Sequence, residues 1–541
     1  MYYDHREIIM NFIYKKWLPS AINGLFLFFI SITLIGAFRS DNLKISTLTN
    51  HFFLILLIAI LAIVVLLFSK HAKKWIDKYL FGVKKIFLEN IGLITGIYFI
   101  FGFCLQVFIL TNISAPIGWD VSAIFNGVSA LPENKEVISN YLSINPNNSF
   151  FFFLMYGISK VMNLFNHTWG SSWFVWQLWN IIFMDIGFVI LFKAAKYLFN
   201  KKVAYLTFYL ASFSLMFSPW ILVPYTDVIM IPVISAVLLL YAKQIEIKNS
   251  GVWNLIFIGI LLGICYLLKP SSIVFLIAWT IIMGIKLLTT GKLYKKNVLS
   301  FFVAMFFFII TVGCFSIFQK QQTIVNYDAE MQKPWMHFVM MGLTGSGGYS
   351  EKDTRKVNSL PTLEKKKKYT TETIKKRLED YGMVGYTKFL LVKHFNNTDR
   401  GDFGWGRDGT PQNPTKPSKS EFQTKLRDTY YQQGKRTNNL RFVMQILWIV
   451  VLLGMLLSFF VKDIQGGTLL IIKLTIIGAF LYLLLFEGGR SRYLIQYLPF
   501  FYLLSANGLA RINDIVSING IKKSFTSTDY RGSLPIRTDE L

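Results

Sequence analysis

The chain has 541 residues, of which 53% are hydrophobic and 16% charged, with 50 Phe and 13 Trp; no soluble fold needs so much apolar surface. Its formal charge of +26 does not point to nucleic acid, because the lysines fall mostly in short loops between apolar runs, where the positive-inside rule accounts for them. Cys104, Cys265 and Cys314 all lie inside apolar runs, which excludes a disulfide framework and a thiolate metal site as organising features.

Apolar runs of about 17 to 22 residues recur along the chain, each long enough to cross ~30 Å of hydrocarbon. In chain order the candidate spans are 20–37, 51–69, 91–111, 171–192, 203–219, 226–242, 251–268, 271–287, 298–318, 441–461, 467–486 and 493–511. They predict an all-α polytopic membrane protein with about 12 transmembrane helices, within a range of 11–13. The first run lacks a small-residue cleavage site and is read as a retained helix. Two N-terminal helices and a basic loop (1–90) precede a membrane core (91–318), an extracytoplasmic segment of mixed structure (319–440), C-terminal helices (441–511) and a basic tail (512–541).

Lysine sets the orientation. Lys70, Lys73, Lys74, Lys78, Lys84 and Lys85 follow the second span; Lys193, Lys196, Lys201 and Lys202 follow the fourth; Lys286, Lys292, Lys295 and Lys296 follow the eighth. With both termini cytoplasmic and the protein in the plasma membrane, every cluster faces the cytoplasm. This solution requires the apolar stretch 150–165 to lie on the outer face as an interfacial helix without crossing.

The unusual polar residues then collect outside. Asp120 sits in GWDVSAIFNGV, where a helix cap or turn would also account for it. Asn145, Asn147 and Asn148 surround Pro146 just before the interfacial helix, and capping explains one asparagine, not three. Tyr225 and Asp227 open the sixth span, where Asp227 could serve only as a cap. Lys269 lies between two apolar runs with almost no loop, a placement that costs about 3 kcal/mol at mid-membrane unless an outward cavity receives it. Glu487, Arg490 and Arg492 share a short Gly-rich turn, and two guanidiniums there suit a phosphate, which arginine can grip bidentately. The 319–440 segment adds two Gly-rich aromatic loops, 337–349 with His337 and 400–410 with Trp405 and Asp408, as secondary candidates for roofing a cavity. No Walker sequence, His-Glu metal pair or cysteine cluster appears.

In that order and on one face, an Asp in the first large outer loop, a Pro-Asn-Asn helix start, Tyr-Thr-Asp, Lys-Pro and a terminal Arg-Ser-Arg-Tyr-Leu resemble GT-C superfamily glycosyltransferases. The resemblance is to family-39-like membrane proteins of Gram-positive bacteria, related to protein O-mannosyltransferases and to the aminoarabinose transferases of lipid A, and it runs from about residue 91 to 511. Asp120 is not followed by Glu, and Asn-Pro-Asn-Asn stands where the O-mannosyltransferases have His-Pro-Pro. The resemblance implies a GT-C-like fold and a polyprenyl-phosphate-linked sugar as donor. The acceptor would be a glycopolymer, lipid or protein at the outer face of the bilayer, with no nucleic acid involved.

A glycosyl phosphate carries its own leaving group, so transfer to a hydroxyl needs a base on the acceptor and positive charge at the departing phosphate. Asp120 is the expected base, with inversion at the anomeric carbon; Lys269, Arg490 and Arg492 are the expected phosphate ligands. Asn147, Asn148, Tyr225, Asp227 and Glu487 are expected to hold sugar or acceptor. No cofactor is required, although a divalent cation bridging Asp120 and the phosphate fits the scheme. A transporter or flippase, or a polymerase, for lipid-linked saccharides is the rival reading; a transporter should carry polar groups at both ends of its path.

Overall fold

A computed structural model describes residues 17–49, 88–246, 251–290, 295–405, 417–461 and 467–511, with isolated positions between 55 and 86. The expected span 51–69, the lysines from Lys70 to Lys84, Lys292, Asp408 and the tail 512–541 lie outside the described residues. What is described is helical, with no strand, so the expected mixed character of 319–440 is corrected: Trp335–Met341, Glu351–Asn358, Leu363–Thr398 and Glu421–Tyr430 are all helices.

Seven described helices are long and apolar enough to cross a membrane: Leu18–Phe38, Ile91–Ile113, Trp173–Leu198, Thr226–Glu246, Leu299–Gln321, Thr437–Phe460 and Thr468–Leu485. A helix satisfies its own backbone donors and acceptors, which is why hydrocarbon tolerates it. Four further expected spans form shorter helices, Lys201–Leu215, Val252–Leu268, Val274–Thr290 and Leu498–Ala510. The last is extended at its start by a 3₁₀ segment, Ser491–Tyr497. Thr468–Leu485 runs through the middle of the bundle, whereas Leu299–Gln321 lies at its edge and leaves Phe302, Phe306 and Ile309 uncovered.

Polar side chains inside the bundle serve the backbone that leads into the turns bearing Asp120 and Tyr225. Gln177 donates through Nε2 to the carbonyls of Ala115 (2.8 Å) and Leu222 (2.9 Å), and Asn180 donates to Trp220 (2.9 Å) and Ile221 (3.0 Å). The Ala115 carbonyl lies in an irregular stretch and the other three in the short 3₁₀ turn Pro219–Leu222, where α-helical hydrogen bonding does not satisfy them and an unmet buried acceptor would carry a penalty. One glutamine thus ties the approach to Asp120 to the approach to Tyr225.

Two buried ionisable residues depart from the one-sided pattern read from the sequence. Asp185 accepts from Gln106 Nε2 at 3.3 Å, and Lys473 donates to Asn23 Oδ1 at 2.7 Å and to the Ser458 carbonyl at 3.2 Å. Both lie within long apolar helices, where a single charged residue does not interrupt an apolar run.

The helix Ser149–Phe165 lies across one end of the bundle. Near its start, Phe153 packs on Phe318 with ring centroids 5.0 Å apart; near its end, Met162 receives the Trp179 indole N–H. Phe318 is three residues from the end of its helix and Trp179 six from the start of its own, about 5 and 9 Å inward at 1.5 Å per residue. Both ends of Ser149–Phe165 therefore pack within two turns of the end of a spanning helix.

Candidate functional site

At that same end the turns enclose a cavity of about 830 Å³. Of the residues singled out in the sequence, Asp120, Asn147, Asn148, Tyr225, Lys269, Glu487, Arg490 and Arg492 line it. They come from positions up to 372 residues apart, and the turns are locked to one another. Ser271, two residues after Lys269, donates to Gln496 Oε1 at 3.0 Å, and its carbonyl accepts from Tyr497 O–H at 2.8 Å. The turn carrying Lys269 is thereby docked on the segment carrying Arg492.

Asp120 falls in the first turn of the helix Trp119–Ser129, but it caps nothing. Its Oδ1 accepts from the Tyr141 hydroxyl at 2.7 Å, and Tyr225 O–H approaches Oδ2 at 3.4 Å. Asn148 closes the ring: its Nδ2 donates to Tyr141 Oη at 2.6 Å, and its Oδ1 accepts from Tyr225 O–H at 2.9 Å. Asn148 stands at the N-cap position of Ser149–Phe165 and makes no capping hydrogen bond, so its side chain is committed to this network. Burial, and next the Asp120 charge, push both tyrosine hydroxyls well above their ordinary range. They remain donors, holding the carboxylate with Oδ2 the less engaged oxygen.

Asp227 does not line the cavity. It is fully buried, with Oδ1 ion-paired to Lys269 and Oδ2 3.5 Å from Arg492 Nε. One carboxylate therefore fixes two of the cations from below. Aromatic faces hold them from the side: Lys269 Nζ is 5.2 Å from the Tyr493 centroid, Arg492 Cζ is 4.5 Å from Trp119 and 5.2 Å from Tyr493, and Arg490 Cζ is 5.7 Å from Tyr349. Trp119 has φ of 45°, a strained conformation for a bulky side chain. Glu487 accepts from Tyr493 O–H at 3.0 Å.

The turn at 486–490 is shaped by glycine. Gly488 N–H donates to the Gly347 carbonyl at 2.9 Å. Gly489 has φ of 67°, and a Cβ there would meet the Ser346 carbonyl oxygen at 2.6 Å, so only glycine allows the two loops to meet. The helix Trp335–Met341 and the turn after it thus close over the cavity, contributing Phe338, Met341 and Tyr349. His337 instead points away and is fully buried, with neither ring nitrogen hydrogen-bonded; burial, and next the Lys333 charge, lower its pKa to about 4. Trp405 is also buried away from the cavity, donating to the Tyr430 carbonyl at 2.9 Å.

Sequence reasoning missed Trp119, Tyr141 and Lys333. Lys333 lines the cavity and donates to Asn145 Oδ1 at 2.9 Å. Burial lowers its pKa, while the charges of Asp120 and Glu487 oppose that shift. The spare asparagine in Asn-Pro-Asn-Asn was the available signal, since it has no capping role. Among the described residues no three His, Cys, Asp or Glu side chains gather as a metal site.

Residues 14–511 match the family described as conserved hypothetical integral membrane protein, and the chain belongs to that family. No curated protein and no solved structure matches it.

Proposed function

We propose that this integral membrane protein is a GT-C-like glycosyltransferase that moves a sugar from a polyprenyl-phosphate carrier to an acceptor hydroxyl at the outer face of the plasma membrane, in a topology of about twelve crossings. The observation that carries the reading is the pairing, within one cavity, of a carboxylate held by two tyrosines with a cluster of desolvated cations.

The charges are apportioned as the chemistry needs. Lys269, Lys333, Arg490 and Arg492 face Asp120, Glu487 and the buried Asp227; four cations against three carboxylates leave a formal excess of one positive charge, which a phosphodiester monoanion would neutralise. Binding of the donor phosphate by Arg490, Arg492 and Lys269 would stabilise the negative charge that grows on it as the anomeric C–O bond breaks. Asp120, through Oδ2, would take the proton of the acceptor hydroxyl as its oxygen bonds to the anomeric carbon, with inversion. Polyprenyl phosphate leaves with the electron pair of the broken bond. Asn147, exposed at the rim, and Lys333 with Asn145 lie on the Asp120 side and would receive sugar or acceptor.

The test is mass spectrometry of wall polymers and lipids from a deletion strain, complemented by wild type or by Asp120→Asn. A saccharide that disappears on deletion and returns only with the wild-type gene supports the reading. Equal restoration by Asp120→Asn would instead favour transport of a lipid-linked saccharide.

A further inference from the structure

The long helix Leu363–Thr398 breaks at Gly382, whose φ of 57° and ψ of 178° separate two arms. The second arm is not an ordinary solvent-exposed helix. On one side His394 Nε2 lies 2.9 Å from Thr33 Oγ1, and its ring stands 5.5 Å from Phe29 and 5.1 Å from Phe480. Thr33 and Phe480 are each five residues from the cavity-side end of an apolar spanning helix, about 7.5 Å inward. The arm is therefore held below the level at which those spans end.

Its other side is apolar and uncovered. Met383 is 88% exposed, Val384 69%, Leu391 44% and Val392 54%. Val384, Leu391 and Val392 fall on one helical stripe, interrupted by Lys388, whose stem can lie on apolar surface while its ammonium reaches a headgroup. The spans it packs on expose Ile35, Leu481 and Leu485 near the same level, so the stripe continues the bundle's own apolar girdle.

We infer that residues 383–395 are an interfacial element seated in the cavity-side leaflet, with bilayer lipid as the occupant of the exposed stripe. Depth and continuity with a surface that already faces lipid favour this occupant over a soluble partner. The arm also reaches the cavity: Lys393 Nζ donates to the carbonyls of Gly342, Leu484 and Phe486, and Asn397 Nδ2 donates to Leu483. The leaflet thereby sets the height of the turn bearing Glu487 and Arg490. The inference does not depend on sugar transfer.

The test uses the full chain with Cys104, Cys265 and Cys314 replaced, and a single bimane label at Val384→Cys, at Leu391→Cys or, as a water-facing control, at Glu372→Cys. In liposomes, a spin label near the top of the acyl chain should quench positions 384 and 391 several-fold more than aqueous iodide does, with the reverse at 372. Stronger quenching by iodide at both positions would place the stripe in water, and resistance to both quenchers would show protein covering it; either overturns the inference. Agreement between the two positions guards against one poorly folded variant.

Discussion

The guanidinium of Arg492 lies 4.5 Å over the centre of the Trp119 indole, and Trp119 reaches that position through a strained backbone immediately before Asp120. The base expected at the acceptor hydroxyl and a cation expected at the departing phosphate, on opposite faces of the anomeric carbon, are thus positioned through adjacent residues, Asp120 and Trp119. Trp119→Leu should weaken binding of polyprenyl-phosphate sugar by roughly 10-fold, since a desolvated cation–π contact contributes about 1 to 2 kcal/mol. Trp119→Phe should lose less. Calorimetric titration with the lipid donor checks the order; equal affinity in all three proteins contradicts it.

Asp227 bridges Lys269 and Arg492 from a fully buried position. Replacing one partner of a buried ion pair leaves uncompensated charge and costs on the order of 3 to 5 kcal/mol. Asp227→Asn, nearly isosteric, should therefore lower the thermal midpoint of the detergent-solubilised protein by several degrees. Added polyprenyl phosphate should restore part of that loss by supplying the missing negative charge. An unchanged midpoint would show that the two cations do not rely on Asp227.

Tyr141 donates to Asp120 Oδ1 at 2.7 Å, and a hydrogen bond to a charged group is worth about 1.5 to 3 kcal/mol. Tyr141→Phe should lower kcat by 10-fold or more with little change in donor affinity. Its hydroxyl is held well above the ordinary tyrosine range, by burial first and by Asp120 next, so it should stay protonated, and no loss of rate should trace to it as pH rises toward 10. A Tyr141→Phe variant with wild-type kcat removes the tyrosine from the mechanism.

Lys333 gives the opposite pH behaviour. Burial lowers its pKa below the ordinary lysine value, so its charge is present at low pH and is lost as pH rises, beginning below the range of a solvated lysine. Activity should fall on that alkaline limb. Lys333→Arg, whose charge persists above pH 12, should move the limb upward; Lys333→Gln should depress activity at all pH values. An alkaline limb that stays in place in Lys333→Arg would assign it to another group, such as Lys269, whose pKa burial also lowers.

Much of the cavity was visible in the sequence because Asp120, Asn148, Lys269 and Arg492 are polar residues at apolar boundaries, where only function or a defined structural partner keeps them. Their mutual distances were not. The bridge from Asp227 to Lys269 and Arg492 spans up to 265 residues of chain, and nothing local distinguishes it from an N-cap. Trp119 reads as one more apolar residue, and Tyr141 sits in an unremarkable amphipathic helix. The helical character and the apolar runs followed from periodicity and length. The depth of the arm after Gly382 did not, because His394 and Lys393 look solvent-facing until their partners on distant helices are known.

The most direct measurement is transfer itself. Purified protein in liposomes is given polyprenyl-phosphate hexose labelled in the sugar, together with the wall and lipid fraction of a deletion strain as acceptor. Wild type should release polyprenyl phosphate as label enters the acceptor, one for one. Asp120→Asn should bind the donor with similar affinity and turn over at least ~100-fold more slowly, the scale of a lost positioned base. Transfer by Asp120→Asn within a few-fold of wild type, or movement of intact donor across the bilayer with no release of polyprenyl phosphate, would contradict the glycosyltransferase assignment.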